Sequence, residues 1–167
     1  GPPLLTPEGA RVQPAWLRGF LHEPKTIRPW LAVRMPTFGL TTDEVAQVGN
    51  YLRAIAPDAP RPAAGSVGVT PEAGQALFEL LKCQQCHVLG TIPKDQPTSN
   101  LAPDLRMARE RLQPDWILSW LRNPGAMLPG TRMPTFWPDY PKSYYEPLGK
   151  DGTRQVRAIR DHVLTLR

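Results

Sequence analysis

Residues 82–90 read KCQQCHVLG and hold both cysteines of the 167-residue chain together with one of its three histidines. Four chemistries compete for this pattern. A disulfide between Cys83 and Cys86 would close a very small loop, constrain the unfolded chain little, and leave His87 without a role. A thioredoxin-like dithiol belongs beside a βαβ unit, and the sequence shows none. Zinc asks for four ligands, and no second cluster of Cys or His supplies the fourth to Cys83, Cys86 and His87. The remaining chemistry uses every residue. In C-x-x-C-H the two thiols add to the vinyl groups of a haem, forming thioethers, and the adjacent histidine lies under the iron as an axial ligand. Vinyl groups on neighbouring pyrroles need sulfurs about one helical turn apart, which is the spacing of Cys83 and Cys86.

Outside this stretch the chain repeats itself. VQPAWLRGFLHEP at 12–24 and LQPDWILSWLRNP at 112–124 share, at a constant offset of 100, Gln13 with Gln113, Pro14 with Pro114, Trp16 with Trp116, Leu21 with Leu121 and Pro24 with Pro124. VRMPTF at 33–38 then recurs as TRMPTF at 131–136. A helical apolar pattern follows each: Val45, Val48, Tyr51, Leu52 and Ile55 in the first copy, Val156, Ile159, Val163 and Leu166 in the second. The second copy carries an extra loop, WPDYPKSYYEPLGKDGTR, and is preceded by the helix-like TPEAGQALFELLK, the cysteine motif and the loop VLGTIPKDQPTSNLAPDL. The first copy is thus a half-unit. The chain divides into a half-repeat without an attachment motif at 1–56, a Pro/Ala/Gly-rich linker at 57–69 and a haem-binding domain at 70–167.

Helices are expected at about 14–23, 43–56, 71–83, 104–111, 114–122 and 153–166, and no alternating apolar run long enough for a sheet appears. Thr70 before Pro71, Thr42 before Asp43 and Gln113 before Pro114 mark helix starts. Proline, 21 of 167 residues, points to short helices joined by long, ordered loops. The net charge of +5 is spread among acidic residues, which argues against nucleic acid and suits a solvated surface or docking to an acidic redox partner. No run reaches the roughly 20 apolar residues of a membrane span, and GPPLLTPEGA has no signal-peptide pattern. The natural chain is therefore expected to begin further upstream, with any export signal or anchor there.

The segment from about 70 to 167 resembles the cytochrome c family, and residues 10–56 resemble the second half of the same domain. The likeness rests on C-x-x-C-H at 83–87, on Gly74 and Phe78, and on TRMP at 131–134. Gly74 and Phe78, four apart, look like the family's small-plus-aromatic pair where this helix crosses the C-terminal helix. TRMP looks like the loop that delivers the methionine ligand. One position departs: where the family's last helix often carries an aromatic, the second copy has His162 and the first Tyr51, so the crossing is expected to be looser or differently filled. The resemblance implies an all-α, cytochrome c-like domain around one covalent haem c, with an N-terminal helical half-repeat.

It also implies a methionine on the face of the iron opposite His87. Met35, Met107, Met127 and Met133 are the candidates, and Met133 is favoured. Pro134 fixes the backbone after it, Pro129 and Gly130 make a turn before it, and it lies 46 residues beyond His87. Met107 sits in the amphipathic PDLRMARERL, where methionine is more often packing, and Met127 in a loop. Met35 has the surroundings of Met133 but no attachment motif. It suits a haem whose motif lies upstream, with packing or service to another copy's haem as alternatives. His22, next to Pro24, reads as a loop residue at the surface and His162 as a helix-packing histidine. Trp116, Trp120, Leu112, Ile117, Leu121 and Phe136 would wall the haem, and NLAPDL at 100–105 is similar to segments along a haem edge. Arg106, Arg109, Arg111 and Arg132 are all candidates to pair with a propionate.

Histidine and thioether leave the iron no vacant position, and the soft sulfur raises the reduction potential. The expected function is electron transfer to and from redox partner proteins, not enzymatic catalysis, within a larger or multihaem respiratory protein. Alternatives are a peroxidase-type haem enzyme in which a methionine is displaced and a docking domain of a larger complex. Haem c is normally attached outside the bacterial cytoplasm, so the family likeness implies a periplasmic or extracytoplasmic site, with membrane contact only through segments absent from this chain. A half-repeat without its mate could also exchange with a second copy, giving a homodimer.

Overall fold

Proline and short polar side chains decide where the helices of this protein begin. In the computed structural model, which describes residues 4–32, 34–56 and 70–167, helices α1 (Glu8–Arg11), α2 (Pro14–His22), α3 (Thr42–Ile55), α4 (Pro71–Leu80), α5 (Ala108–Arg111), α6 (Pro114–Arg122), α7 (Pro124–Met127) and α8 (Gly152–Val163) follow in order. The expected linker at 57–69 lies outside the described residues. Helices α2, α4, α6 and α7 open on proline, whose missing N–H is an unpaired donor at that position in any case. Helix α3 opens on a capping box: the Thr41 hydroxyl accepts from the Glu44 N–H at 3.3 Å, and the Glu44 carboxylate accepts from the Thr41 N–H at 2.8 Å. The cap is therefore Thr41, and Thr42 is the first helical residue. The Asp151 carboxylate caps α8 by accepting from the N–H groups of Thr153 and Arg154 at 2.8 and 3.1 Å.

The fold is all-α, with only isolated bridges and no strand among the described residues. Three helices are shorter than their patterns predict; the last, expected at 153–166, ends at Val163. Helix α4 stops at Leu80 because the chain turns left-handed at Lys82 (φ 54°), and the segment expected at 104–111 begins as a 3-10 turn, Leu105–Met107, before α5. Helices α1 and α7, four residues each, are too short for apolar periodicity to announce them.

Two cores result. The larger gathers Leu77, Phe78 and Leu81 at α4, Trp116, Ile117, Leu118 and Leu121 on α6, and Val156, Ala158, Ile159 and Val163 on α8, with Trp137 from the intervening loop. The smaller holds Val12, Leu17, Leu21, Val45 and Leu52. Helix α4 crosses α8 at Gly74, where a Cβ would lie 2.1 Å from the Ala158 carbonyl oxygen. The His162 ring fills the crossing instead of an aromatic hydrocarbon, 5.1 Å from Phe78. The crossing is thus differently filled but not loose. Gln155, fully buried on α8, accepts from the Trp137 indole and donates to the Tyr145 and Pro147 carbonyls, tying the extra loop down.

The two copies of the repeat face each other reciprocally. The Gln13 backbone N–H donates to the Arg111 carbonyl at 2.8 Å and the Gln113 N–H to the Arg11 carbonyl at 2.9 Å. The Gln13 side-chain amide donates to the Leu112 carbonyl at 3.0 Å and the Gln113 amide to the Val12 carbonyl at 3.2 Å. Arg11 lies over the Trp116 ring at 5.3 Å, and Arg111 over the Trp16 ring at 5.0 Å. This is the self-complementary geometry of a two-fold interface, built within one chain.

Gly74→Ala should cost about 1–3 kcal/mol, because the added methyl meets backbone that cannot step aside. Gly19→Ala, inside α2 where a Cβ meets nothing within 4 Å, should be neutral or stabilise by up to about 1 kcal/mol. Urea unfolding followed by circular dichroism reads both; equal effects would refute the tight crossing.

Candidate functional site

The left-handed Lys82 redirects the chain out of α4 into one 3-10 turn, Cys83–Gln85. The Cys86 and His87 N–H groups both donate to the Cys83 carbonyl, at 3.3 and 3.0 Å, so the cysteines sit one turn apart with the histidine directly after. Both are free thiols. Cys83 packs against the large core while Cys86 is exposed. Burial pushes the Cys83 thiol up to about 11. A redox-active or metal-binding cysteine needs a lowered value and a ready thiolate, so this setting disfavours both roles for Cys83.

His87 is held by its ring. Its Nδ1 lies 2.9 Å from the Pro103 carbonyl oxygen, which can only accept, so Nδ1 carries the proton and the Nε2 lone pair is left for a ligand. Metal-binding histidines are oriented in this way. Burial, assisted by the charge of Arg28 and opposed by the Pro103 bond, lowers the basicity of His87 and keeps the imidazole neutral. The Ala102 N–H donates to the Cys86 carbonyl at 2.7 Å and the Leu105 N–H to the Val88 carbonyl at 3.1 Å, which clamps the 102–105 segment to the cysteine turn.

Met133 approaches the same segment from its own loop. The Arg132 guanidinium donates to the Ser99 carbonyl at 2.7 Å and to Asn100 Oδ1 at 3.0 Å. The Trp120 indole N–H donates to Met133 Sδ at 2.8 Å, and Trp120 stacks on Trp116 at 5.1 Å. His87 and the Met133 loop are therefore hung from one stretch, residues 99–103. Of the expected wall, Trp116, Ile117 and Leu121 are buried, and Leu112, Trp120 and Phe136 pack against the same core half-buried.

The other candidates fall elsewhere. Met127 is not in a loop but ends α7 and packs half-buried against the large core, Met107 ends a 3-10 turn and not a stretch of α-helix, and Met35 is exposed in the first copy. His22 is exposed as expected but closes α2 instead of lying in a loop, and His162 is the packing residue at the α4–α8 crossing. Arg106 is engaged by the Asp104 carboxylate at 3.0 Å, Arg132 by the 99–100 segment, and Arg109 is exposed, whereas Arg111 is buried. Arg11 and Arg28 escaped the sequence reading. Arg11 stands at the same offset of 100 from Arg111 that relates Gln13 to Gln113, and that signal was present; Arg28 has no counterpart that would have marked it.

Among the described residues, no three or more His, Cys, Asp or Glu side chains converge as a site for a bare metal ion. The donor set is one neutral imidazole, one thioether sulfur and two thiols a turn apart, which fits a haem c. Comparison with protein-family models, with curated proteins and with solved structures finds no match to this chain.

In the haem-free chain at pH 8, a thiol at about 11 is about one part in a thousand thiolate. Iodoacetamide should therefore label Cys86 at least about tenfold faster than Cys83, as read by peptide mass spectrometry. Equal rates would contradict the burial of Cys83.

Proposed function

We propose that the chain is an electron-transfer domain of the cytochrome c type, carrying one haem c joined to Cys83 and Cys86 through thioethers and ligated by His87 and Met133. The observation that carries this reading is the Nδ1–H bond from His87 to the Pro103 carbonyl, which leaves a neutral, oriented Nε2 immediately after two thiols one turn apart. When bound, the haem supplies a one-electron couple.

Each residue has a defined task. The 3-10 turn sets the sulfur spacing, and Cys83 packs against the large core. Pro103 holds the imidazole in one tautomer and one plane. Trp120 fixes the Met133 side chain by one sulfur lone pair and leaves the other for the metal. The same bond opposes loss of the methionine, which a peroxidase-type enzyme would need, so carriage of electrons is the better-supported reading. Trp116, Ile117 and Leu121 keep water from the wall, and an environment that changes little between charge states favours rapid transfer.

Partners on this reading are protein electron donors and acceptors, and the compartment is periplasmic or otherwise extracytoplasmic, where haem c is attached. Among the described residues no helix is long and apolar enough to cross a membrane.

The purified chain, denatured in alkaline pyridine under reductant, should show a covalent c-type haem, and its absence would falsify the reading. Met133→Ala should abolish the weak near-infrared sulfur-to-ferric-iron band while the haem stays attached; survival of the band would move the ligand to another methionine. Trp120→Phe should keep the band but shift its position.

A further inference from the structure

One copy of the repeat shows what the other leaves open. At a constant offset of 111, Gln47, Val48, Tyr51 and Ile55 of α3 correspond to Ala158, Ile159, His162 and Leu166. In the second copy α4 lies on this stripe: Gly74 meets the Ala158 carbonyl, Phe78 meets the His162 ring, Ile159 is buried and Leu166 packs against the large core. In the first copy the stripe is open. Tyr51 is 64% exposed and Ile55 37%, Gln47 is exposed, and Val48 is half-buried. The contrast recurs in the methionine loops, where Met35 and Phe38 are exposed while their counterparts Met133 and Phe136 pack half-buried against the large core. Helix α1 takes another side of α3, where a Cβ on Gly9 would lie 2.2 Å from the Leu52 carbonyl oxygen. A helix with apolar residues on more than one side is normally enclosed, and an exposed apolar stripe marks an interaction surface.

We propose that the open stripe of α3 is the docking site of an amphipathic helix supplied by the same polypeptide ahead of residue 1, with a glycine set against α3 at Gln47 and Tyr51 and an aromatic residue four positions later against the Tyr51 ring. The second copy defines the chemistry of this occupant. Gly74 fits its crossing because a Cβ there would lie 2.1 Å from the Ala158 carbonyl oxygen and 2.7 Å from the His162 Cβ. Gln47 and Tyr51 stand at those two positions of α3, so a helix crossing there meets the same carbonyl and the same Cβ, and glycine is the residue that fits. Phe78, four residues after Gly74, reaches the His162 ring at 5.1 Å. At Tyr51 the corresponding pair is aromatic on both sides, which favours an offset or edge contact with the hydroxyl left in water.

Chain order identifies the source. In the second copy the covering helix, α4, precedes α5, α6 and α8 in the same chain, and no described residue of the first copy takes its place. The linker at 57–69 follows α3 but contains no aromatic residue, and α4 itself is engaged by α8. The argument rests on packing alone and does not require the haem.

The test compares nitration of Tyr51 by tetranitromethane in residues 1–167 and in the natural protein with its upstream sequence, with the exposed Tyr144 as internal standard. The ratio of Tyr51 to Tyr144 nitration should be at least about tenfold lower in the longer protein, because an enclosed ring reacts only when the crossing opens. Replacing the glycine of the upstream helix by valine should return the ratio to that of residues 1–167. Equal ratios in the two proteins would overturn the proposal, as would protection that survives the valine, or a natural polypeptide with no upstream helix of this pattern. Protection already present in residues 1–167 would also overturn it, and would assign the stripe to the linker if independent of concentration and to a second copy if it rises with concentration. If the valine variant does not fold, Tyr51→Glu decides: a charge in the crossing should speed amide exchange of the upstream helix at least about tenfold and leave α3 of residues 1–167 unaltered, and unchanged exchange of the upstream helix would refute the docking. Because neither readout involves the haem, failure here leaves the haem reading standing, and a chain without haem leaves the docking site standing.

Discussion

The absence of a side chain at Gly74 is what lets α4 lie against the backbone of α8, with no room for even a methyl at the Ala158 carbonyl. Helices of ten and twelve residues are marginal in isolation, so their persistence depends on this crossing and the apolar faces it joins. Phe78 and Leu77 enter the core beside it, and His162 closes its edge. Because the crossing fixes α4, it also fixes where α4 ends, and therefore where Lys82 turns the chain and presents Cys83, Cys86 and His87.

From that point the architecture depends on hydrogen bonds more than on helices. Residues 99–105 form neither helix nor sheet over most of their length, yet they carry both halves of the candidate site. Their backbone accepts from His87 through Pro103 and from Arg132 through Ser99, and donates to the cysteine turn through Ala102. A loop with so many fixed partners behaves as scaffold. This explains how a proline-rich chain with short helices can still position an imidazole and a thioether, since ordered loops need partners for their backbone groups more than they need periodicity.

The pairing of the two copies adds a second constraint. Gln13 and Gln113 each use the backbone and the side-chain amide to reach the other copy, and each arginine of the pair stacks on the other copy's tryptophan. The half-repeat is therefore packed as a partner of the complete unit and not as an independent appendage. Its core of five buried residues among those described is small for a free-standing domain, which makes this interface part of its stability.

Much of this was legible in the order of residues. The repeat, the helix starts at Pro14, Pro71 and Pro114, the cysteine turn, the all-α class and the location of Met133 in a turn after Pro129 and Gly130 all follow from local rules, because proline, capping residues and C-x-x-C-H spacing act over a few positions. The extent of α4, the cap at Thr41 and the short α1 and α7 were not legible, because helix ends are set by competition among caps and turns that differ by fractions of a kcal/mol. What the sequence by itself determined is the inventory: which side chains are available, on which helix face, and in how many copies. What only the tertiary structure decided is which of them meet. It chose Pro103 as the acceptor for His87, gave Met133 the Trp120 indole, engaged Arg106 and Arg132 elsewhere, and laid Arg11 on Trp116 and Arg111 on Trp16 across about a hundred residues. Contacts of that separation depend on how two packed units dock, and docking is set by burial and hydrogen bonding summed over a whole surface, which no local pattern encodes.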